Sequence, residues 1–188
     1  MFARWLTRTR WRAGEEVGAA NVVKLGGNFL IASAIEAMAE SLALAEANGV
    51  DRVAMMEMLN STIFDCLIYK GYGQRVSERD HLPYPDAHFA LELGLKDVSL
   101  VSATAAASST PMPLCSLLKD RYLSAQASGW GELDWSSIGE YSDQSQGRGK
   151  GMLCLVSDRS MARAGLKVSM DAGAPGVDAE VARNQKGL

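Results

Sequence analysis

VGAANVVKLGGNFLIASAIEAMAESLALAEA, residues 17–47, decides the fold of this chain. The stretch has no proline and is rich in alanine, and the Asn48-Gly49 pair after it is a natural left-handed stop, so one long helix is predicted. Its apolar residues recur at helical spacing, at Leu25, Phe29, Ala32, Ile35 or Glu36, Ala39 and Leu42. Small residues on its other faces would let further helices approach closely, so we expect a central helix.

Shorter helices are predicted after this one. Asp51 is placed to cap a helix that runs to about Asn60, with Val53, Met56 and Leu59 facing inward. A third helix is expected over about 64–76, although Gly71 and Gly73 weaken it.

The rest of the central region is also predicted to be helical. Asp86 is placed to cap a helix that runs through Phe89 and Lys96 to about Ser108. The prolines at 111 and 113 end that helix and start another, and a short helix is expected over 134–138. Because no alternating strand pattern is present, the fold class is all-α: a long central helix within a helical bundle.

The two ends differ from the center. Residues 1–13 carry four arginines and no acid, which predicts a poorly ordered basic leader or, alternatively, an organelle presequence. Residues 141–188 are polar and rich in glycine and serine, so we expect disorder there. The folded domain is therefore predicted over 14–140.

Charge and cysteine usage exclude several classes of protein. A net charge of -3 and a pI near 5.4 predict neither nucleic-acid nor membrane-surface binding. Cys66, Cys115 and Cys154 are odd in number and widely spaced, so no disulfide framework or metal site is expected. Charged residues interrupt the apolar stretches, so no membrane-spanning helix is expected either. A cytoplasmic protein fits these features.

Lys24 and Asn28 form the first candidate site. They lie one helical turn apart and project from the same face, so they could hold one ligand together. Apolar neighbors on both sides of Lys24 suggest partial burial, which would lower the pKa of its ammonium and suit it to proton transfer. The alternative is a solvated stripe that continues through Glu36 and Glu40.

A second candidate lies in FALELGLKD, residues 89–97. Here Lys96 and Asp97 interrupt an apolar helical run, and charges in such a place need partners or a cleft. Phe89 precedes Lys96 by two helical turns, so ring and ammonium would share one face. The alternative is an ion pair on the surface of a helix.

Together these segments resemble the C-terminal domain of the β-hydroxyacid dehydrogenases, the family of 3-hydroxyisobutyrate dehydrogenase, tartronate semialdehyde reductase and the glyoxylate and succinic semialdehyde reductases. The likeness covers about residues 14–139. It rests on several motifs in one order, namely Lys24 with Asn28, Glu36-Ala37 through Asn48-Gly49-Val50-Asp51, Phe89, and Lys96-Asp97. The resemblance implies an all-α domain like the C-terminal domain of 6-phosphogluconate dehydrogenase.

The resemblance also implies roles for individual residues in an NAD- or NADP-dependent oxidoreductase. Lys24 matches the catalytic lysine, which gives a proton to the carbonyl oxygen in reduction or takes the hydroxyl proton in oxidation. The other implied residues are Asn28 and Asn21 for substrate, and Lys96, Phe89 and Asp97 for contacting or supporting the cofactor. Hydride transfer requires such a set, because the oxygen needs a proton carrier while the carbon is held near a nicotinamide.

The chain departs from the family in one respect. Family members begin with a doubly wound dinucleotide-binding domain and a serine and glycine substrate loop, and this sequence contains neither. The resemblance therefore implies part of an oxidoreductase for a small 3-hydroxy acid or semialdehyde, completed by a Rossmann domain from elsewhere, with packing into a homo-oligomer through the helical domain. The alternatives are a non-catalytic association module and a truncated gene remnant.

Overall fold

The computed structural model describes residues 13–141, in which five α-helices and one 3-10 helix form a bundle and no strand occurs. The elements are α1 (Ala19–Ala47), α2 (Arg52–Asn60), α3 (Leu67–Glu78), α4 (Leu91–Ala107), α5 (Pro113–Ala127) and the 3-10 helix (Trp135–Gly139). The predicted all-α class is confirmed. The leader and tail predictions, and Cys154, fall almost entirely on residues outside those described.

α1 is the central helix, as predicted. Its second half is surrounded by α2, α3, α4, α5 and the 3-10 helix, and Ala32, Ile35 and Leu42 are buried there. The helix ends at Ala47 with Asn48 as its C-cap, and Gly49 takes the left-handed φ of 79° that the turn into α2 requires. The first half of α1 is more exposed, which leaves one side of it open as a cleft wall.

Judged by length and composition alone, α1 could cross a membrane, since its most apolar window has a mean hydropathy of 1.4. The expectation that the chain has no membrane-spanning helix stays a prediction. The core helix of a soluble protein passes the same test, and α1 packs against four other α-helices. A third of the window is buried within the described part of the chain.

α2 begins as predicted, because the Asp51 side chain accepts a hydrogen bond from the Ala54 N–H at 2.8 Å. The apolar pattern did not indicate that Arg52 would be buried. Its guanidinium donates to the Val76 carbonyl at 3.0 Å and to the Glu46 carboxylate at 3.2 Å. One arginine thus ties the start of α2 to the end of α1 and to α3.

α3 begins later than predicted. The Thr62 and Phe64 N–H groups both donate to the Leu59 carbonyl, which holds the chain in a turn after α2. Cys66 then has an extended backbone and serves as the N-cap, so the helix starts at Leu67. Local hydrogen bonds of the turn therefore prevent this segment from becoming helical, although its sequence pattern is helical.

The predicted start of α4 is wrong, because Asp86 does not cap the helix and Phe89 is not part of it. Ala90 has an extended backbone, with φ -65° and ψ 143°, and is the N-cap. The first N–H groups of the helix donate to carbonyls of the segment before the 3-10 helix, with Leu91 bonding Leu133 at 2.8 Å. Phe89 therefore does not share a helical face with Lys96.

The last two elements follow the prediction more closely. Pro113 opens α5, and the Asp134 side chain accepts from the Ser136 N–H to cap the 3-10 helix. Gly94 on α4 has no Cβ, and one placed there would lie 2.7 Å from the buried Tyr122 ring. α4, α5 and the 3-10 helix can pack this closely because of that glycine.

Candidate active site

Three polar side chains join α1 to α4. The Asp97 carboxylate lies 3.2 and 3.3 Å from the Lys24 ammonium and accepts a hydrogen bond from the Asn28 amide at 2.5 Å. Its side chain is only 2% exposed, whereas that of Lys24 is 61% exposed. A buried carboxylate needs such donors, and it holds the lysine and the amide side by side.

The burial expected for Lys24 is not found in the described part of the chain. Val22 and Val23 are more than half exposed, because the helices pack around the later turns of α1 and leave its first turns open. The partner that fixes the ammonium is Asp97 rather than an apolar shell. The alternative, a solvated stripe that continues through Glu36, is wrong at that residue, because Glu36 is buried.

The polar pair borders an open cleft of about 590 Å³. α1 forms one wall, and the segment before α4 together with α3 and the 3-10 helix forms the other. The lining residues are Ala20, Val23, Lys24, Gly27, Asn28, Ile31, Tyr72, His88, Phe89 and Trp135. Among these lining residues, Lys24 is the one Lys, Arg, Asp or Glu.

The second wall is aromatic. The Trp135 ring meets Phe89 and Tyr72 edge to face, at centroid distances of 4.8 and 5.7 Å, and Tyr72 meets His88 in the same way at 5.6 Å. Such contacts order the rings relative to one another. The cleft thus sets a polar corner against a firm aromatic surface.

The two titratable groups on that wall are biased toward their neutral forms. Burial, together with the negative charge of Asp134, raises the pKa of Tyr72 to about 12. Burial and the Arg75 guanidinium lower the pKa of His88. At neutral pH the aromatic wall can therefore donate and accept hydrogen bonds without repelling a cation or an anion.

The residues predicted for the site divide into two groups. Lys24, Asn28 and Phe89 line the cleft, and Asp97 lies behind the first two. Asn21 and Lys96 are exposed and do not line it, and Lys96 has no hydrogen bond or ion pair within residues 13–141.

Sequence reasoning missed Tyr72, His88 and Trp135 as lining residues. Tyr72 lies in the helix that the glycines made uncertain, and His88 lies next to the predicted Phe89. Trp135 lies just after Asp134, in a short helix that was predicted only from its cap. His88 and Trp135 could have been found as neighbors of the predicted Phe89 and Asp134. No sequence pattern, however, predicts that these segments and Tyr72 meet in one wall.

The cleft is suited to a flat aromatic ring and a small polar molecule. Pockets for such ligands span roughly 300 to 1,000 Å³ and combine apolar walls with few polar groups, and this cleft matches in size and lining. An aromatic wall can stack a flat ring, and the Lys24 ammonium can donate to an oxygen atom. Residues 13–141 hold no cluster of metal-ligating side chains.

Comparison with known proteins identifies the family. A family model described as NAD-binding of NADP-dependent 3-hydroxyisobutyrate dehydrogenase matches residues 18–141. The chain is 35% identical over 133 residues to an uncharacterized oxidoreductase of Bacillus subtilis, YfjR, with 71% of this chain and 45% of the relative covered. It is 30% identical over 128 residues to L-threonate dehydrogenase of Escherichia coli K12, with 68% and 41% covered.

A solved structure shares the fold. The crystal structure of 3-hydroxyisobutyrate dehydrogenase from Salmonella typhimurium superposes with a TM-score of 0.62 at 28% identity, covering 70% of this chain and 45% of that one. The chain spans less than half the length of these relatives.

Proposed function

We propose a function from one premise: the chain belongs to the 3-hydroxyisobutyrate dehydrogenase-like family of NAD-binding oxidoreductases. In this proposal the cleft receives the nicotinamide end of NAD or NADP and a small 3-hydroxy acid or semialdehyde. The observation that carries it is the Lys24–Asn28–Asp97 cluster at the edge of an aromatic cleft. When bound, the nicotinamide supplies or accepts the hydride at the substrate carbon.

Lys24 is the proposed proton carrier. Its ammonium gives a proton to the carbonyl oxygen in reduction, and its amine takes the hydroxyl proton in oxidation. The ammonium is held by one carboxylate yet 61% exposed, so it keeps donors free for a substrate oxygen. Asp97 compensates the charge of the ammonium without entering the cleft.

Asn28 and Asp97 are proposed to orient the substrate and the lysine. One amide hydrogen of Asn28 is donated to Asp97, which fixes the plane of the amide. The remaining amide hydrogen and the carbonyl oxygen can then bind a hydroxyl or carboxylate of the substrate. An orienting pair of this kind lowers the entropy cost of bringing the oxygen to the lysine.

Asn21 and Lys96 keep proposed roles outside the cleft. Asn21 lies three residues before Lys24 and so on a neighboring part of the same face, where it can add a polar contact to a substrate. Lys96 has an exposed ammonium without an ion pair within residues 13–141, and it suits an anionic part of a dinucleotide. Both roles presuppose a dinucleotide-binding domain that covers this side of the bundle, and we propose that such a domain acts together with the chain.

Cofactor binding tests the proposal. The full chain is titrated with NADH and with NADPH by fluorescence, alone and mixed with a separate dinucleotide-binding domain of a family member. We expect weak or absent binding by the chain alone and clear binding by the mixture. An absence of binding under both conditions would contradict the proposed function.

Variants of Lys24 sharpen the test in the mixture. Replacing a proton carrier lowers kcat by roughly 10²- to 10⁴-fold, so Lys24→Ala should show a loss of that size. Lys24→Arg should behave similarly, because a guanidinium keeps its proton. The control is Lys119→Ala on α5, which removes a lysine away from the cleft and should leave kcat unchanged.

A second candidate is an association module, favored by the exposed apolar residues of α1. Val22, Val23 and Leu30 are 54%, 62% and 67% exposed, and such a surface suits contact with another chain. Sedimentation of the chain and of a Leu30→Glu variant tests this. A stable oligomer that the variant dissociates, together with no nicotinamide binding in any mixture, would favor the module.

A further inference from the structure

One wall of the cleft comes from a segment that no helix contains. His88 and Phe89 precede α4, and Ala90 is extended where it pairs with Asp134 in a single bridge. Helical wall residues are held by the bonds of their own helix, whereas residues outside regular structure keep one conformation only if other groups bind their backbone. The position of Phe89 therefore depends on partners elsewhere in the chain.

Asp134 supplies those partners. One carboxylate oxygen accepts hydrogen bonds from the N–H groups of His88 and Phe89, at 2.7 and 3.3 Å. The other oxygen accepts from the N–H and the hydroxyl of Ser136, at 3.0 and 2.6 Å. The Trp135 N–H adds a bond to the Phe89 carbonyl at 2.8 Å. The same carboxylate thus joins the 3-10 helix to the cleft segment.

The carboxylate is fully buried, with 0% of the residue exposed. Within residues 13–141 no Lys or Arg forms an ion pair with it, so four hydrogen-bond donors take the place of its hydration. Removing such donors from a buried charge lowers the stability of the folded chain considerably. The segment that carries the His88 and Phe89 donors is therefore held firmly.

We infer that Asp134 is a positioning residue that holds the His88–Phe89 segment as the wall facing Lys24 and Asn28. It does not line the cleft itself. Its effect on catalysis rests on the proposed function, whereas its hold on the segment follows from the hydrogen bonds alone. The two parts can be tested separately in the full chain.

Hydrogen exchange tests the hold on the segment. Asp134→Asn conserves the shape of the side chain but removes the charge and one acceptor, so the amides of His88 and Phe89 should exchange about tenfold faster or more while those of α1 stay protected. Ser136→Ala is the matched control, because it removes a donor to the same carboxylate and leaves both cleft amides bonded. Equal exchange at 88 and 89 in wild type and Asp134→Asn would overturn the inference.

Kinetics in the mixture with a dinucleotide-binding domain test the effect on the site. A displaced wall should raise the KM for NADH about tenfold in Asp134→Asn and leave it near the wild-type value in Ser136→Ala. A loss of folded protein alone would lower kcat without changing KM, and that result would overturn the positioning role. If the wild-type chain binds no nicotinamide at all, the proposed function fails, and the exchange experiment still decides whether Asp134 holds the segment.

Discussion

The Asn28 amide and the Asp97 carboxylate lie 2.5 Å apart although 69 residues separate them in sequence. α1 and α4 meet at this bond, and the carboxylate also holds the Lys24 ammonium. Because Asp97 is buried and its partners face the cleft, one side chain both joins two helices and sets the polar corner of the site.

Asp97→Asn should therefore lower the stability of the fold. The amide that replaces the buried carboxylate has one acceptor oxygen instead of two and adds N–H donors without an acceptor, and an unsatisfied buried group costs about 1 to 3 kcal/mol. The measurement is urea unfolding followed by circular dichroism. Glu92→Gln is the control, since it removes an acid from an exposed position of the same helix and should change stability by less than about 0.5 kcal/mol. Equal effects of the two variants would contradict the account.

Phe89→Ala should weaken nicotinamide binding. The ring borders the cleft and packs edge to face on Trp135, and losing it should lower the affinity for NADH about tenfold, or 1.4 kcal/mol. Binding is measured by fluorescence in the presence of a dinucleotide-binding domain. Phe64→Ala is the control, because that ring stacks on Tyr69 away from this cleft; a matching loss of affinity there would refute the prediction.

Gly94→Ala should destabilize the bundle. The added Cβ would lie 2.7 Å from the fully buried ring of Tyr122, and overpacking of a core costs about 1 to 3 kcal/mol. Gly71→Ala, at a helical position where the Cβ meets no atom within 4 Å, should instead stabilize by about 0.5 to 1 kcal/mol. Thermal unfolding of both variants shows whether the two changes have opposite signs.

The buried Glu36 should make stability depend on pH. Burial, only partly offset by Arg121 at 2.9 Å, raises the pKa of this carboxyl above 4.5 in the folded state. The folded chain thus binds the proton more tightly than the unfolded chain. The stability that this protonation contributes is complete below pH 4.5 and is lost as the pH rises through the folded pKa.

Glu36→Gln removes this titration. The free energy of unfolding of the wild type, minus that of the variant, should therefore fall as the pH rises from about 4.5 to about 7.5. Urea unfolding at the two pH values measures it. A difference that increases with pH would mean that the ion pair with Arg121 outweighs burial.

Local signals predicted much of the fold. The cap at Asp51, the stop at Asn48-Gly49 and the start of α5 at Pro113 each depend on one or two residues, and all three are confirmed. The error at the start of α4 has a different cause. The N–H of Leu91 donates to the carbonyl of Leu133, a partner about forty residues away that no local pattern near Ala90 reveals.

The site was predictable to a similar degree. Spacing placed Lys24 and Asn28 on one face, and the structure brings both to the cleft. Spacing could not predict that Lys24 is exposed, because exposure depends on where the other helices end. Nor could it bring Tyr72 and Trp135 into one wall, since these rings come from distant segments that meet only in the folded bundle.

The proposed function requires that the cleft between Lys24 and Phe89 receives a nicotinamide. NMR of the full chain, with Lys24, Asn28 and Trp135 side chains resolved, can follow a titration with reduced nicotinamide mononucleotide, a probe that needs no adenosine site. With a separate dinucleotide-binding domain present, we expect saturable shifts at these three side chains and none at Lys119. Shifts confined to other parts of the bundle, or none at Lys24 and Asn28 even with a dinucleotide-binding domain present, would contradict the proposed function.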